Sequence, residues 1–199
     1  MMQNETYTFV FFGIIGSGKG TQIKLLQEYL SKKDGREQVY AYPGGEYRKL
    51  IDSGNYTSQL VKDSYNRGEL QPDFLTNSIF VNIILASISP DKHILVDGYP
   101  RTLAQSAEFE KIMKYYGRKS VKIIYIEISE AEAMKRNLAR GRSDDTEEGI
   151  KRRFEEYKNN VIPSMKYFDG KPGYEFYKIN GEQTIEKVHQ DIMSALGFK

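Results

Sequence analysis

The sequence has no cysteine, few histidines and little net charge, and each shortage excludes a class of protein. Without cysteine among its 199 residues, the chain has no disulfide, no thiolate zinc site and no cysteine nucleophile, which fits a reducing compartment. The two histidines, His93 and His189, are too far apart to give metal-ligand spacing. A formal net charge of +2 gives no reason to expect a polyanion such as DNA as a partner.

Long apolar runs are also lacking. The run "FVFFGII" (9–15) is much too short to span a bilayer, and it lacks the flanks of a secretory signal. We therefore expect a cytoplasmic protein without a membrane partner. The length suits one sizeable hydrophobic core, with room for small insertions.

What the sequence does contain is an alternation of short apolar runs with helical patterns. Runs rich in Val, Ile, Tyr and Phe predict strands at 7–12, 38–42, 93–97, 121–128 and 174–179. The patterns between them predict helices at 19–34, 72–89, 100–116, 130–140, 147–168 (with a kink at Pro163) and 182–195. This alternation predicts a parallel sheet with helices on both faces, in which ligands bind at the carboxyl ends of the strands.

Two segments interrupt the alternation. Residues 43–72 carry glycine turns between what we interpret as short helices, and residues 140–149 are rich in glycine and charge. Both are candidates for mobile covers over a binding site.

The segment "GIIGSGKGT" (13–21) follows a predicted strand and opens a predicted helix. Gly13, Gly18 and Lys19 match the G-x-x-x-x-G-K part of the P-loop pattern. In such a loop, glycines let several backbone N–H groups converge on one anion, and the helix N-terminus adds partial positive charge. Lys19 would reach the terminal phosphates of a nucleotide. Gly20 stands where the pattern asks for Ser or Thr, so the hydroxyl that contacts phosphate or magnesium would be that of Thr21.

The predicted strand "HILVD" (93–97) ends in Asp97. Magnesium keeps most of its water ligands, so one carboxylate acting through water is enough to hold it beside a nucleotide. The alternative interpretation is a turn aspartate at the end of a strand. Together with the P-loop, Asp97 predicts a magnesium site, and we expect no zinc.

Three motifs, in their order and spacing, resemble the adenylate kinase family of nucleoside monophosphate (NMP) kinases. They are "GIIGSGKGT" (13–21), "DGYPRT" (97–102) and "GRSDDTEE" (141–148), the last resembling the lid of short-lid members. The resemblance covers nearly the whole chain. It implies a P-loop NTPase-like, three-layer α/β/α fold with a five-stranded parallel sheet. The single domain 1–199 would comprise a core (1–42, 73–139 and 150–199), an NMP-binding insert (43–72) and a short lid (140–149).

The resemblance also implies roles for individual residues. The expected ATP-binding residues are Gly16, Ser17, Gly18, Lys19, Gly20, Thr21, Arg136, Arg140 and Gln183. The expected NMP-binding residues are Pro43, Gly44, Arg48, Glu69, Leu70, Gln71, Gly98, Tyr99, Pro100, Arg101, Gln105, Arg142 and Arg153. The expected catalytic residues are Lys19, Arg101, Arg140, Arg142 and Arg153.

The implied reaction moves the γ-phosphoryl group of Mg-ATP to a monophosphate, most simply AMP, with two ADP as products. The acceptor oxygen already carries charge because the second pKa of a phosphomonoester is about 6, so no general base is required. Catalysis would depend on alignment and on neutralising charge with always-protonated arginine forks. Asp144 and Asp145 either orient these arginines or latch the lid, or they act as N-terminal acids of the next helix.

The sequence departs from the family pattern where the monophosphate should bind. Tyr42, Pro43, Gly44 and Gly45 occupy the place of the family's Ser-Thr-Gly-Asp, which leaves the identity of the monophosphate open. Ile15 replaces the P-loop proline, and Tyr99 replaces a phenylalanine. Gln105 favours AMP, because its amide offers one donor and one acceptor to the edge of adenine.

Two alternatives remain open at this stage. The chain could be a UMP/CMP or deoxynucleoside monophosphate kinase. In a different class, it could be a P-loop switch that hydrolyses ATP slowly, although such a switch would not need two arginines directed at a second phosphate. We expect ATP and a monophosphate as the partners, no nucleic acid, and a monomer.

Overall fold

The computed structural model describes residues 6–141 and 145–198. In these ranges five strands form one parallel sheet in the order β2-β3-β1-β4-β5. The strands are β1 (Thr8–Phe12), β2 (Gln38–Ala41), β3 (His93–Asp97), β4 (Val121–Glu127) and β5 (Tyr174–Asn180). The central strand β1 pairs in parallel with both neighbours, Val10 lying beside Val96 and Ile123. The predicted α/β fold with a five-stranded parallel sheet is confirmed.

Helices connect the strands and cover both faces of the sheet. They are α1 (Lys19–Asp34), α2 (Pro43–Asp52), α3 (Tyr56–Asn66), α4 (Asp73–Ser87), α5 (Leu103–Tyr115), α6 (Glu130–Arg140), α7 (Glu147–Glu156), α8 (Ile162–Lys166) and α9 (Ile185–Ala195). The helix starts follow from local chemistry. The side chains of Thr102, Ser129 and Thr146, for example, each accept a hydrogen bond from the first turn of α5, α6 and α7.

The predicted kink near Pro163 takes the form of a π-helical turn, Tyr157–Val161, which lies between α7 and α8. Proline has no backbone N–H to donate, so a regular α-helical ladder cannot continue through Pro163. The wider turn just before the proline absorbs this interruption. Its residues therefore project differently from those of a continuous helix.

The sheet separates two apolar layers because alternate residues of a strand point to opposite faces. Val10 and Phe12 of β1 pack against α4 and α5, whereas Phe9 and Phe11 pack against α1 and α9. All of β1 is buried. A smaller cluster of Ile14, Ala133, Ile150 and Phe154 holds α6 and α7 against the loop that follows β1.

The two interrupting segments have different structures. Residues 43–72 contain α2 and α3, as the glycine turns led us to expect. Residues 140–149 include the last residue of α6 and the first turn of α7, but Arg142, Ser143 and Asp144 lie outside the described residues. None of the helices in the described ranges combines the length and the apolar character needed to cross a bilayer. The division into core, insert and lid stays a prediction.

Candidate active site

The loop between β1 and α1 is tightly curled. Gly13 and Gly16 have φ angles of 150° and 81°, in the region that favours glycine. A Cβ atom on Gly13 would lie 2.6 Å from the carbonyl oxygen of Ile126, and one on Gly16 would lie 2.6 Å from Nδ2 of Asn137. The glycines are therefore required both by the backbone angles and by close packing against β4 and α6.

Lys19 begins α1 and folds its side chain back into this loop. Its Nζ donates to the carbonyl oxygens of Gly13 at 2.7 Å and of Ile14 at 3.1 Å. Burial lowers the pKa of Lys19 to about 8; Asp97 opposes this shift, and the positive charges of Arg101 and Arg140 reinforce it. A cation held among other cations is a suitable partner for a polyanion such as a triphosphate.

A cleft of about 720 Å³ opens at the carboxyl end of the strands, next to Lys19. It collects most of the predicted site residues. Those that line it are Gly16, Gly18, Lys19, Gly20, Thr21, Pro43, Gly44, Arg48, Glu69, Leu70, Gln71, Asp97, Gly98, Tyr99, Pro100, Arg101, Gln105, Arg136, Arg140 and Arg153. Segments far apart in sequence therefore meet at one place, as expected for a parallel sheet.

Of the predicted residues that the structure describes, two are not among those that line the cleft. Ser17, which belongs to the loop between β1 and α1, is buried. The amide of Gln183 donates to the carbonyl oxygen of Asn180 and to Oδ2 of Asp191, both at 2.9 Å. Arg142, predicted to bind the monophosphate and to act in catalysis, lies outside the described residues.

Asp97 ends β3 beside the start of α1. Only 7% of it is exposed, and its Oδ2 accepts a hydrogen bond from the hydroxyl of Tyr40 at 3.0 Å. A Cβ atom on Gly20 would lie 3.7 Å from the same oxygen, so the carboxylate faces the first turn of α1. A single carboxylate next to a phosphate-binding loop fits a magnesium ion that is held through water.

The segment after Asp97 fixes Arg101 through short hydrogen bonds. Nε of Arg101 donates to the carbonyl oxygen of Gly98 at 2.7 Å, and its backbone N–H donates to Oε1 of Gln105 at 2.8 Å. Nε2 of Gln105 donates to Oδ1 of Asp73, also at 2.8 Å. The buried Gln105 amide therefore uses one hydrogen and one lone pair within the protein, which leaves one of each for a ligand.

The packing of Tyr42 explains the two glycines that follow Pro43. Its ring lies over the first turn of α2, where Cβ atoms on Gly44 and Gly45 would come within 2.8 Å and 2.9 Å of ring carbons. The ring also stacks on Tyr40 at 5.7 Å between centroids, and the guanidinium of Arg48 lies 5.7 Å from the Tyr42 ring centre. The two glycines thus make room for an aromatic wall on this side of the cleft.

The arginines of α6 and α7 share one buried carboxylate. Asp145, whose side chain is fully buried, accepts from Nε and Nη2 of Arg140 at 2.9 Å and 2.8 Å, and from Nη1 of Arg153 at 3.3 Å. Thr146 caps α7. The geometry of Asp145 therefore favours the interpretation that it orients the arginines, whereas Asp144 lies outside the described residues.

Arg136 also lines the cleft. Its Nε donates to Oε1 of Glu132 at 2.7 Å, and its Nη2 donates to the carbonyl oxygen of Gly181 at 3.0 Å. These contacts hold the guanidinium between α6 and the segment that follows β5. Gln183, two residues beyond Gly181, lies in that same segment.

Sequence reasoning missed several tyrosines. The cleft is also lined by Tyr40, Tyr42, Tyr47, Tyr65 and Tyr157. The alternation in "QVYAY" was a usable signal, because Val39 and Ala41 are buried on one face and Tyr40 and Tyr42 therefore share the other. Tyr157 had no such signal, since its direction depends on the π-helical turn.

Comparison with known proteins agrees with this geometry. A family model described as adenylate kinase matches residues 11–172. The adenylate kinase of Prochlorococcus marinus (strain MIT 9515) is 33% identical over 184 residues, covering 92% of this chain and 94% of its own. That of Bacteroides fragilis (strain ATCC 25285) is 32% identical over 191 residues, covering 94% and 96%. Adenylate kinase 1 of Nostoc sp. (strain PCC 7120) is 29% identical over 188 residues, covering 94% and 97%.

Proposed function

The chain belongs to the adenylate kinase family, and from that premise we propose that its cleft is where the γ-phosphoryl group of ATP passes to AMP, with two ADP as products. The protein is a nucleoside monophosphate kinase, and the relatives do not favour the UMP/CMP, deoxynucleotide or slow-switch alternatives. One observation carries the proposal. The P-loop lysine and arginines from four separate segments line one cleft at the carboxyl end of the sheet.

On the donor side, the curled loop from Gly16 to Thr21 would hold the ATP phosphates. Its backbone N–H groups, the start of α1 and Lys19 together supply the positive field. Arg136 would lie against the adenine, with Gln183 beyond it, because Arg136 is already bonded to Gly181 in the same segment. In this arrangement the γ-phosphate faces the middle of the cleft.

On the acceptor side, Arg48 and Arg101 would bind the phosphate of AMP. Arg101 is held by the carbonyl oxygen of Gly98 and Arg48 by the Tyr42 ring, so neither guanidinium must be ordered from free solvent. The other predicted NMP-binding residues on this side of the cleft would surround the nucleoside, and Gln105 would use its remaining donor and acceptor on adenine.

The transfer itself would need alignment and charge neutralisation. The AMP oxygen attacks as an anion, so no described side chain has to remove a proton. Lys19, Arg140 and Arg153 would stabilise the charge on the transferring group, with Arg140 and Arg153 preset by Asp145. Asp97 would hold Mg²⁺ through water, and the bound ion would neutralise charge on the phosphate oxygens. Closure of 43–72 and 140–149 would exclude water.

The test is a coupled assay of ADP formation with AMP, dAMP, UMP, CMP and dTMP at equal concentrations. We expect a higher kcat/KM with AMP and dAMP than with UMP, CMP or dTMP, because the relatives are adenylate kinases and the donor and acceptor left on Gln105 fit the edge of adenine. A higher value with UMP, CMP or dTMP would overturn the choice of AMP. ATP hydrolysis without any monophosphate serves as the control, and a rate equal to that with AMP would indicate the slow switch instead.

A further inference from the structure

Tyr40 and Asp97 both line the cleft and are joined by a hydrogen bond. Tyr40 lies on β2, next to the strand that ends in Asp97, and its hydroxyl donates to Oδ2 of Asp97 at 3.0 Å. The register places Ala41 beside Val96, so the phenol reaches obliquely across the ends of the two strands. The bond holds one oxygen of a carboxylate that is otherwise bounded by the start of α1.

The phenol is itself held in place. Its ring stacks on Tyr42 with an interplanar angle of 21°, and Tyr42 packs on the first turn of α2. Burial and the charge of Asp97 raise the pKa of Tyr40 well above its usual range.

We propose that Tyr40 is a positioning residue that fixes the Asp97 carboxylate for the water shell of Mg²⁺. The inference rests on the proposed function, in which Asp97 holds the ion. Without the phenol, the carboxylate would be free to rotate towards Lys19, with which it already interacts electrostatically. With the phenol, Oδ2 is held and Oδ1 stays available to accept from metal-bound water. Loss of such an outer partner typically weakens metal binding by about 10–100-fold.

The test variant is Tyr40→Phe, which keeps the ring and removes the hydroxyl. The Mg²⁺ concentration that gives half-maximal rate should rise about tenfold, the low end of that range, because Asp97 acts through water. The KM for ATP at saturating Mg²⁺ should change little. The second readout is calorimetric binding of a non-hydrolysable ATP analogue. In EDTA, the affinity of the variant for the analogue should match that of the wild type. The factor by which Mg²⁺ increases this affinity should be about tenfold smaller in the variant.

Two controls separate positioning from general damage. Tyr177→Phe removes a comparable bond, from Oη to Oε2 of Glu175 at 2.6 Å, away from the cleft, and it should leave both readouts unchanged. In an Asp97→Asn background, Tyr40→Phe should add no further loss, since the two residues act as a unit.

Several outcomes would overturn the inference. One is a Tyr40→Phe variant with the Mg²⁺ dependence of the wild type. Another is equal losses in EDTA and in Mg²⁺, which would indicate a structural role only. If Asp97→Asn also kept the Mg²⁺ dependence of the wild type, the role proposed for Asp97 would fail together with that of Tyr40. If Tyr40→Phe kept the Mg²⁺ dependence of the wild type while Asp97→Asn lost it, the role proposed for Tyr40 would be wrong and that of Asp97 would stand.

Discussion

Single residues in the cleft are prepared for anions before any ligand binds. Lys19 is held by two loop carbonyl oxygens, and Arg101 by the carbonyl oxygen of Gly98. Each cation thus interacts with partial negative charge on the backbone and lies near other cations. Bound phosphates would offset the repulsion between these neighbouring positive charges.

The lowered pKa of Lys19 leads to a prediction on proton uptake. Burial lowers the pKa of Lys19 to about 8 in the free protein, so a larger fraction of the amine is neutral at pH 8.5 than in an ordinary lysine. The charge of the ATP phosphates should raise this pKa again, and binding should then take up a proton. Calorimetry at pH 8.5 in buffers of different ionisation enthalpy measures the uptake. Lys19→Met should show none, and an undiminished uptake in that variant would assign the proton to another group.

A second residue-scale prediction concerns the transferring phosphoryl group. Arg101→Ala should lower kcat by about a thousandfold, because Arg101 would hold the AMP phosphate next to the γ-phosphoryl group and share the charge in transfer, where an arginine typically has at least that effect. Arg101→Lys should recover only part of the rate, since lysine keeps the charge but not the planar fork. Arg152→Ala is the matched control; Arg152 lies next to Arg153 on α7 and pairs with Glu148. Near-normal turnover in Arg101→Ala would be incompatible with the proposed mechanism.

At the scale of elements, the strands were the most predictable part. Each predicted strand was found within one or two residues. The inner strands β1 and β3 are buried between two helical layers and are mostly apolar, whereas the largely exposed β5 was marked by its aromatic and β-branched residues. Helix α6 (Glu130–Arg140) was predicted with its correct bounds. Ser129 caps its N-terminus, and Gly141, which has a positive φ, marks its C-terminus.

The first turn of α2 was less predictable. The sequence shows that Pro43, Gly44 and Gly45 depart from the family pattern, but only the fold shows that Tyr42 occupies the vacated space. The contact depends on how β2 turns into α2, which residue spacing does not determine. The residues that depart from the family pattern at the expected monophosphate site are therefore also part of a packing unit.

A double-mutant cycle tests this packing unit. Gly45→Ala should destabilise the wild-type protein, because the new Cβ would lie 2.9 Å from a ring carbon of Tyr42. In a Tyr42→Ala background the same change should stabilise the protein by about 0.5–1 kcal/mol, the usual gain when alanine replaces glycine in a helix. Thermal or urea unfolding measures both values. An identical effect of Gly45→Ala in the two backgrounds would show that the ring imposes no constraint.

The helix pair α6 and α7 gives another element-scale prediction. Asp145→Asn should destabilise the protein by about 2 kcal/mol, since it weakens hydrogen bonds between charged groups at a buried carboxylate. It should also raise the KM for ATP, because Arg140 and Arg153 lose their common partner. Urea unfolding and steady-state kinetics are the measurements. Glu148→Gln, which removes an exposed pair on α7, should change stability by less than about 1 kcal/mol. Equally small losses of stability in Asp145→Asn and Glu148→Gln would show that Asp145 does not hold the arginines.

At the scale of the whole molecule, the parallel sheet brings the phosphate-binding loop, the Asp97 segment and the arginine helices to one edge. The sequence motifs predicted this meeting, because the carboxyl ends of parallel strands share an edge. The same motifs could not show which tyrosines complete the cleft or that Asp145 joins two arginines. Those contacts arise between residues whose side chains converge only after folding. The cytoplasmic location and the monomeric state stay predictions.

The central claim is that one cleft holds two nucleotides with their phosphates facing each other. The most direct measurement is a calorimetric titration with a bisubstrate analogue, two adenosines joined by five phosphates. We predict one analogue per chain, bound about a hundredfold or more tightly than ATP or AMP alone, and displacement of both nucleotides. An affinity no better than that of ATP, or AMP that still binds the saturated protein, would contradict the claim.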